Sequence, residues 1–309
     1  MKAAVLHETG KPLSLEDVPQ PEAGEGQSVV DVKAAGVNYA DVLIRDGHYP
    51  QPPPLPTILG NEVAGDIGDP KGSQRRVFAF VRSGGGGYAE RVVVDDEWVF
   101  DLPPEASYAE GAALLTTYLT AWIPLLRMAR IHRDSNVLVT AAAGGVGTAA
   151  IQVAAFCGAT VTAAAGSEEK RELARSLGAQ RAVTYDEVSE LEDIDVALDP
   201  VGGPIFAACL KTLRPLGVAI GIGFAGGAWE PVDPARLVGR NIGVLGFYLG
   251  RLMGMRPELV RLEAEELLAL WRRGALRPVV GAEFPLADAN DALDLIGSRK
   301  STGKVVLVP

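Results

Sequence analysis

The sequence predicts an α/β protein of two domains, one β-rich and one a doubly wound parallel sheet. Its 309 residues exceed what one hydrophobic core usually organises, so two domains are expected before any motif is considered. Up to about residue 100 the apolar runs are short, partly alternating and separated by Gly/Pro clusters, which is β-like patterning. From Pro104 onward the apolar period lengthens and brief apolar runs alternate with helical stretches, the pattern of βαβ units whose parallel sheet is covered on both faces.

In the first part, residues 29–34 partly alternate and residues 88–94 form a second strand candidate. Gln51-Pro52-Pro53-Pro54 separates such runs, and the glycines at 84–87 suit a turn. Residues 106–126 carry Ala, Leu and Trp at helical spacing, with Pro124 placed to end or kink the helix. The alternation that follows predicts a strand at 137–140, a helix at 145–157, a strand at 160–164 and a helix at 168–177. Next come a strand at 195–198, a helix at 204–211 and strands at 218–222 and 242–246. After Pro257 a long amphipathic helix reaches Arg273, a second helix covers 287–298, and residues 304–308 close as a strand able to return to the first domain.

A formal net charge of −10, with 29 basic residues scattered along the chain, would repel a phosphate backbone, so nucleic acid is not an expected partner. At the amino end Lys2 precedes only a short apolar run before Glu8, Glu16 and Asp17, unlike a signal peptide. No uninterrupted apolar segment approaches the roughly 20 residues of a spanning helix. A cytoplasmic setting without a membrane partner is the expectation. Cys157 and Cys209 lie in apolar, helix-like stretches and read as small buried thiols rather than a disulfide.

The sharpest signal is Val137-Leu138-Val139-Thr140-Ala141-Ala142-Ala143-Gly144-Gly145-Val146-Gly147, a strand entering a helix through a turn with small residues at 141, 144 and 147. Pyrophosphate must approach the backbone there; a side chain beyond a methyl would block it, and the helix amino end supplies N–H groups and a partial positive charge. Ala141, Gly144, Gly145, Val146 and Gly147 are therefore candidate dinucleotide contacts, in the strand-to-helix context that such a motif requires. The competing reading is tight helix–strand packing without a ligand.

The end of the next strand chooses between dinucleotides. An Asp or Glu there accepts from the ribose hydroxyls of NAD, whereas this chain reads Ala164-Ala165-Gly166-Ser167-Glu168-Glu169-Lys170-Arg171. Gly166 leaves room for a phosphate, Ser167 offers a hydroxyl donor, and Lys170 follows about one helical turn later to pair with the dianion. These residues predict NADPH. The plainer alternative makes Ser167 a helix cap, with Glu168 and Glu169 complementing the macrodipole, and the two can hold together.

Together with this turn, several segments carry a family resemblance: Gly36-Val37-Asn38-Tyr39-Ala40-Asp41, Arg45-Asp46-Gly47-His48-Tyr49, Gly60-Asn61-Glu62, Gly86-Gly87-Tyr88-Ala89-Glu90, Asp199-Pro200-Val201-Gly202-Gly203 and Gly303-Lys304-Val305-Val306. Over its whole length the chain resembles the medium-chain dehydrogenase/reductase superfamily, in particular its zinc-free, zeta-crystallin-like quinone oxidoreductase branch. The resemblance implies a GroES-like β-rich catalytic domain from residues 1–113 and 253–309, and a Rossmann NADP-binding domain from residues 114–252. Zinc-dependent relatives hold their metal through a cysteine, a Gly-His-Glu histidine and a further cysteine or acidic residue. Those places look like Asn38, Asn61 and approximately Ala113 here, none of them a good zinc ligand, so no metal is expected. The relatives' four-cysteine loop has no counterpart, and His7, His48 and His132 show no ligand spacing. The stretch of residues 66–77 is shorter than the family usually shows.

By position, the resemblance sets Gly166, Lys170 and Tyr185 around the adenosine 2′-phosphate and Asn38, Thr117 and Phe247 on the nicotinamide side, with Ser167 and Gly221 as further cofactor candidates. Tyr185 reads equally as a strand-end aromatic packing on its own domain, and Asn38 as a turn residue bonding its own backbone. Without zinc, hydrogen-bond donors must polarise the substrate, and a plain alcohol is then a poor one. The implied activity is NADPH-dependent reduction of a quinone or enone, with Asn38 and Tyr49 bonding the oxygen on which negative charge grows and solvent or Tyr49 giving the proton. Leu43 stands where relatives often show a second tyrosine, and Asp41 reads as a structural acceptor. The alternatives are a 2-alkenal or enoyl reductase on the same scaffold and a low-turnover NADPH-binding sensor or structural protein. The apolar, β-prone run 242–247 falls late in the sheet and needs a partner strand or a cover, which predicts a homodimer.

Overall fold

The structure is a computed structural model that describes residues 1–68, 74–81, 85–229 and 231–309. Residue 84 of the expected glycine turn and residues 69–73 of the shortened stretch lie outside the described residues. The chain begins with β1 (Lys2–Leu6), β2 (Ser14–Asp17), β3 (Gln27–Val37), α1 (Tyr39–Arg45), β4 (Thr57–Ile58), β5 (Glu62–Gly68), β6 (Gln74–Phe80), β7 (Arg91–Asp95), β8 (Val99–Asp101), α2 (Tyr108–Gly111) and α3 (Leu115–Trp122). It continues with β9 (Asn136–Val139), α4 (Gly145–Phe156), β10 (Thr160–Ala164), α5 (Glu168–Ser176), β11 (Arg181–Val183), β12 (Ile194–Asp199), α6 (Gly203–Thr212), β13 (Leu213–Gly221), α7 (Pro234–Arg240), β14 (Gly243–Gly246), α8 (Leu249–Met255) and α9 (Pro257–Arg272). It closes with β15 (Val280–Pro285), α10 (Ala289–Gly297) and β16 (Lys304–Val308).

Two compact units result, Met1–Leu115 with Pro278–Pro309, and Thr116–Arg277. The first holds a seven-stranded sheet, β15-β16-β3-β5-β6-β8 with β7 also on β3, and a three-stranded sheet, β2-β1-β4. The length of β3 explains how one strand serves three partners. Its first half pairs β7 through Gln27 to Asp31 and its middle pairs β5, with a register shift between Val32 and Ala34. Its end pairs β16 through Ala35, Gly36 and Val37, so the carboxyl tail does return to the first unit. Leu6, Val30, Val77, Tyr88, Leu293 and Leu307 lie at 0% exposure in one core, drawn from both ends of the chain.

The second unit holds a six-stranded sheet in the order β11-β10-β9-β12-β13-β14, every pair parallel. That is the doubly wound order, and its direction reverses between β9 and β12, beyond whose carboxyl ends ligands of such sheets bind. Val137, Leu138 and Val139 are fully buried because β9 is central and covered on both faces, which is why it reads as a continuous apolar run.

Two expectations are corrected. The single helix over residues 106–126 is divided: a capping box of Ser107 and Glu110 starts α2, α3 follows, and Ile123–Met128 forms a π-helical turn containing Pro124. Pro124 has no N–H to donate, and the wider turn is closed instead by Ala129 N–H on the Pro124 carbonyl at 2.9 Å. The sheet unit also runs to Arg277, past the expected limit at 252. The reason is α9, whose fully buried Glu263 accepts from Trp122 Nε1 at 2.7 Å and Arg127 Nε at 2.6 Å. Gln152 of α4 bonds both the N–H of Arg277 at 2.9 Å and its carbonyl at 3.0 Å, tying the end of the segment to the same unit. Among the described residues no helix is long and apolar enough to cross a membrane.

Candidate active site

In the second unit the turn between β9 and α4 is shaped by its small residues. Ala141 adopts φ 45°, a left-handed position, and Gly144 forms the N-cap of α4. A Cβ at Gly147 would stand 2.3 Å from the Ala141 carbonyl oxygen, so only glycine lets the helix start this close to the strand. Gly145, Val146 and Gly147 begin α4, where the first N–H groups have no intrahelical acceptor. Thr140 at the tip of β9 donates to the Asp199 carboxylate at the tip of β12, and Asp199 also accepts from Gly202 N–H at 2.7 Å. Burial pushes the Asp199 carboxyl above its ordinary range while these donors oppose the shift. Asp199 thus fixes the two central strand ends, a role its motif gave no sign of.

At the tip of β10, Ser167 caps α5 by accepting from Lys170 N–H at 3.3 Å, so the capping reading holds. The carboxylate of Glu168 is gathered onto cations: Arg171 Nη2 at 2.7 Å and Arg175 Nη1 at 2.7 Å. The Arg175 and Arg171 guanidiniums hold its carboxyl below the ordinary range. Gly166 is exposed, and a Cβ there would meet nothing nearer than Tyr185 Cε2 at 3.8 Å. Tyr185 also packs against the apolar core of its unit, as the strand-end reading expects. Lys170 is half-buried, and desolvation lowers its ammonium pKa. Open Gly166 with Tyr185 beside it, the Ser167 hydroxyl and the half-buried Lys170 therefore share the junction of β10 and α5, and these residues fit a 2′-phosphorylated adenosine.

Thr117 is buried on α3. Phe247 follows β14 half-buried, its N–H donating to the Gly221 carbonyl at 3.0 Å. Over the Cα of Gly221 lies the indole of Trp229, 2.6 Å from where a Cβ would be.

In the first unit Asn38 caps α1, and its backbone N–H donates to Asp41 Oδ2 at 2.8 Å. Its amide Nδ2 donates to Asn61 Oδ1 at 2.9 Å and Glu62 Oε1 at 3.0 Å, while its Oδ1 accepts from Lys304 Nζ at 2.5 Å. Lys304 Nζ also donates to Glu62 Oε1 at 2.6 Å, an ion pair between side chains only 3% and 1% exposed. Both N–H bonds of Asn38 are thus taken by its own unit, so a donor role towards substrate requires one partner to be exchanged. The Tyr88 hydroxyl donates to Asp41 Oδ2 at 2.8 Å, which makes Asp41 the structural acceptor its position suggested. Burial raises the Asp41 carboxyl, and burial with the neighbouring Asp41 charge holds Tyr88 well above the ordinary phenol range. Tyr49 and Leu43 are half-buried, the Tyr49 N–H donating to the Leu43 carbonyl at 3.1 Å, and Ala113 is buried just beyond α2. His7, His48 and His132 are exposed, and among the described residues no three His, Cys, Asp or Glu side chains gather as a ligand group. Lys304 and Glu62 went unassigned in the sequence; the available signal was two opposite charges at the first positions of β16 and β5.

A doubly wound sheet with this turn, joined to a β-rich unit holding a buried amide–ammonium cluster, defines a two-domain nicotinamide-dependent oxidoreductase. The chain belongs to the medium-chain dehydrogenase/reductase superfamily, in its zinc-free quinone oxidoreductase branch. Residues 24–104 match the alcohol dehydrogenase GroES-like domain and residues 145–265 the family described as zinc-binding dehydrogenase. The chain is 36% identical to quinone oxidoreductase-like protein 2 of Rattus norvegicus over 99% of its own length and 91% of the relative's. It resembles the quinone oxidoreductase of Thermus thermophilus, whose complex with NADPH is known, at 41% identity and TM-score 0.89 over 100% of both chains. A mycobacterial protein solved in complex with NADPH is 32% identical, with TM-score 0.90 over 100% of both chains.

Proposed function

We propose that the chain is an NADPH-dependent reductase of quinones or similarly activated carbonyl acceptors that works without zinc in a cytoplasmic setting. The observation that carries the cofactor choice is the tip of β10, where Gly166, Ser167, Lys170 and Tyr185 meet and Glu168 is neutralised by Arg171 and Arg175. The cofactor's contribution when bound is a hydride equivalent. The amides opening α4 would hold its pyrophosphate, and the half-buried Lys170 ammonium would pair with its 2′-phosphate. In the β-rich unit the Tyr49 hydroxyl is the donor to the acceptor oxygen; Asn38 joins it by exchanging Asn61 or Glu62, and water gives the proton where Tyr49 does not.

Neutral carboxamides at positions 38 and 61 are weak zinc donors beside thiolate and imidazole. Charge growing on the acceptor oxygen is then met by hydrogen bonds alone, which suits a quinone or enone, whose reduced oxygen is a delocalised enolate or phenolate. The names of the rat and Thermus relatives support the same acceptor class.

The test is NADPH oxidation by chelator-dialysed protein with 1,4-naphthoquinone, a 2-alkenal and an enoyl thioester, alongside elemental analysis. Turnover of the quinone without stoichiometric zinc is expected. Oxidation confined to the alkenal or thioester would assign an alkenal or enoyl reductase, and NADPH binding without consumption of any acceptor a sensor. Stoichiometric zinc with activity lost on chelation would overturn the metal-free part.

A further inference from the structure

We propose that Trp229 is a binding residue for the nicotinamide end of the cofactor, a role that rests on the NADPH reading above. The direction of the dinucleotide is set within the second unit. Its adenosine end belongs at the tip of β10, by Gly166, Lys170 and Tyr185, and its pyrophosphate at the turn after β9. The sheet order then continues to β12, β13 and β14, so the nicotinamide end lies towards the carboxyl ends of those strands. From β10 to β13 is three strand spacings, about 14 Å.

At the carboxyl end of β13 stands Trp229. A Cβ on Gly221 would be 2.6 Å from its Cη2 and 2.8 Å from its Cζ3, so the benzo edge is seated against the glycine. Phe206 meets the indole edge-on at 5.7 Å and 87°, and Phe224 tilts against it at 6.1 Å. Three sides of the ring are thereby fixed. The remainder is open: Trp229 is 46% exposed, against 1%, 5% and 7% for Trp98, Trp122 and Trp271. Phe206 below it is 5% exposed with the indole in place, so the indole covers that ring and still leaves nearly half of its own surface to solvent. A rigid aromatic surface held by its edge at a strand's carboxyl end is suited to lie against a planar ligand ring.

The contact can be removed from either side. Trp229→Ala deletes the indole; Gly221→Ala adds a methyl 2.6 Å from Cη2, too close for the indole to stay, and acts on the indole because Gly221 has no left-handed φ. Titration calorimetry would use NADPH and adenosine 2′,5′-bisphosphate, which carries the adenosine end alone. Both variants should bind NADPH about fivefold or more weakly, the usual loss when a stacking aromatic is truncated in a nucleotide site. Their affinity for the bisphosphate should equal wild type, and Trp229→Phe should recover most of the loss. Unchanged NADPH affinity in both alanine variants overturns the assignment, including the case in which only the KM for 1,4-naphthoquinone rises and the indole serves the acceptor. Parallel weakening of the bisphosphate also overturns it, since Trp229 would then be a fold element. Wild type that fails to bind the bisphosphate removes the NADPH reading itself, and this proposal with it.

Discussion

Glu168 and Lys170 sit two residues apart at the amino end of α5, and their surroundings decide which governs the adenosine end. Glu168 is paired with two arginines, whereas Lys170 stands half-buried at the tip that Gly166 leaves open. A hydrogen bond to a charged group contributes about 1.5–3 kcal/mol, so Lys170→Ala should weaken NADPH by about ten- to a hundredfold and leave NADH nearly unchanged. Gly166→Asp should move the preference towards NADH by repelling the phosphate and accepting from the ribose. Comparing kcat/KM for the two cofactors checks both; equal loss on both in Lys170→Ala would leave the segment as a capped helix only. A second residue-scale expectation concerns Lys304. Lys304→Met strands the buried Glu62 carboxylate and should cost about 3–5 kcal/mol in urea unfolding, while Lys304→Met with Glu62→Leu should recover much of it. The small residues of the nucleotide turn were legible because backbone approach forces them. Lys304 and Glu62 were not, since burial of a charge depends on partners hundreds of positions away, such as Asn38 for Lys304; Asp199 was hidden in the same way by Thr140, 59 positions before it.

At the scale of elements, the parallel strands were legible wherever burial on both faces makes an apolar run, as in β9 and β10. β5 was hidden by its own chemistry: Glu62 and Asp66 interrupt it, yet both are buried, Asp66 accepting from the Tyr108 hydroxyl at 2.6 Å. β15 keeps the two-residue period in its burial, but Gly281 and Pro285 at exposed positions hide it in the sequence, since neither is a strand former. The length of α9 was read correctly within one residue, but its owner was not, because the deciding contact is the carboxylate of Glu263 on Trp122 and Arg127. Glu263→Leu leaves the buried indole N–H of Trp122 without its acceptor and should destabilise the protein by about 1–3 kcal/mol. Glu263→Gln keeps an acceptor oxygen and should lose less, because Arg127 is about half exposed and its pairing is screened. Thermal and urea unfolding of both variants provide the comparison; equal losses would mean that the ion pair, not the indole bond, fastens α9.

For the whole molecule the open question is what meets the ends of the parallel sheet. One edge, β11, is three residues long and carries the exposed Arg181, a short and charged edge that discourages pairing. The other, β14, reads Gly-Val-Leu-Gly, pairs only with β13 among the described residues, and leaves Val244 and Leu245 half-buried. Beside it, Leu216 bonds Asn241 through its N–H at 2.7 Å and is 87% exposed at φ 70°, while Val238 on α7 is 77% exposed. A leucine held in a left-handed conformation with its side chain in water gains nothing from its own chain, and an unpaired apolar edge invites a second strand. A homodimer through β14 satisfies both, since a two-fold axis sets identical edges against each other. Light scattering at micromolar concentration should therefore give twice the protomer mass. Leu245→Lys puts a charge in the middle of that edge and, unlike a change at Val244, which packs on the unit's own core, should shift the protein to monomer while the β9–α4 turn, three strands away, keeps its NADPH affinity. A monodisperse wild-type monomer would end the proposal, and a dimer indifferent to Leu245→Lys would move the interface to another surface.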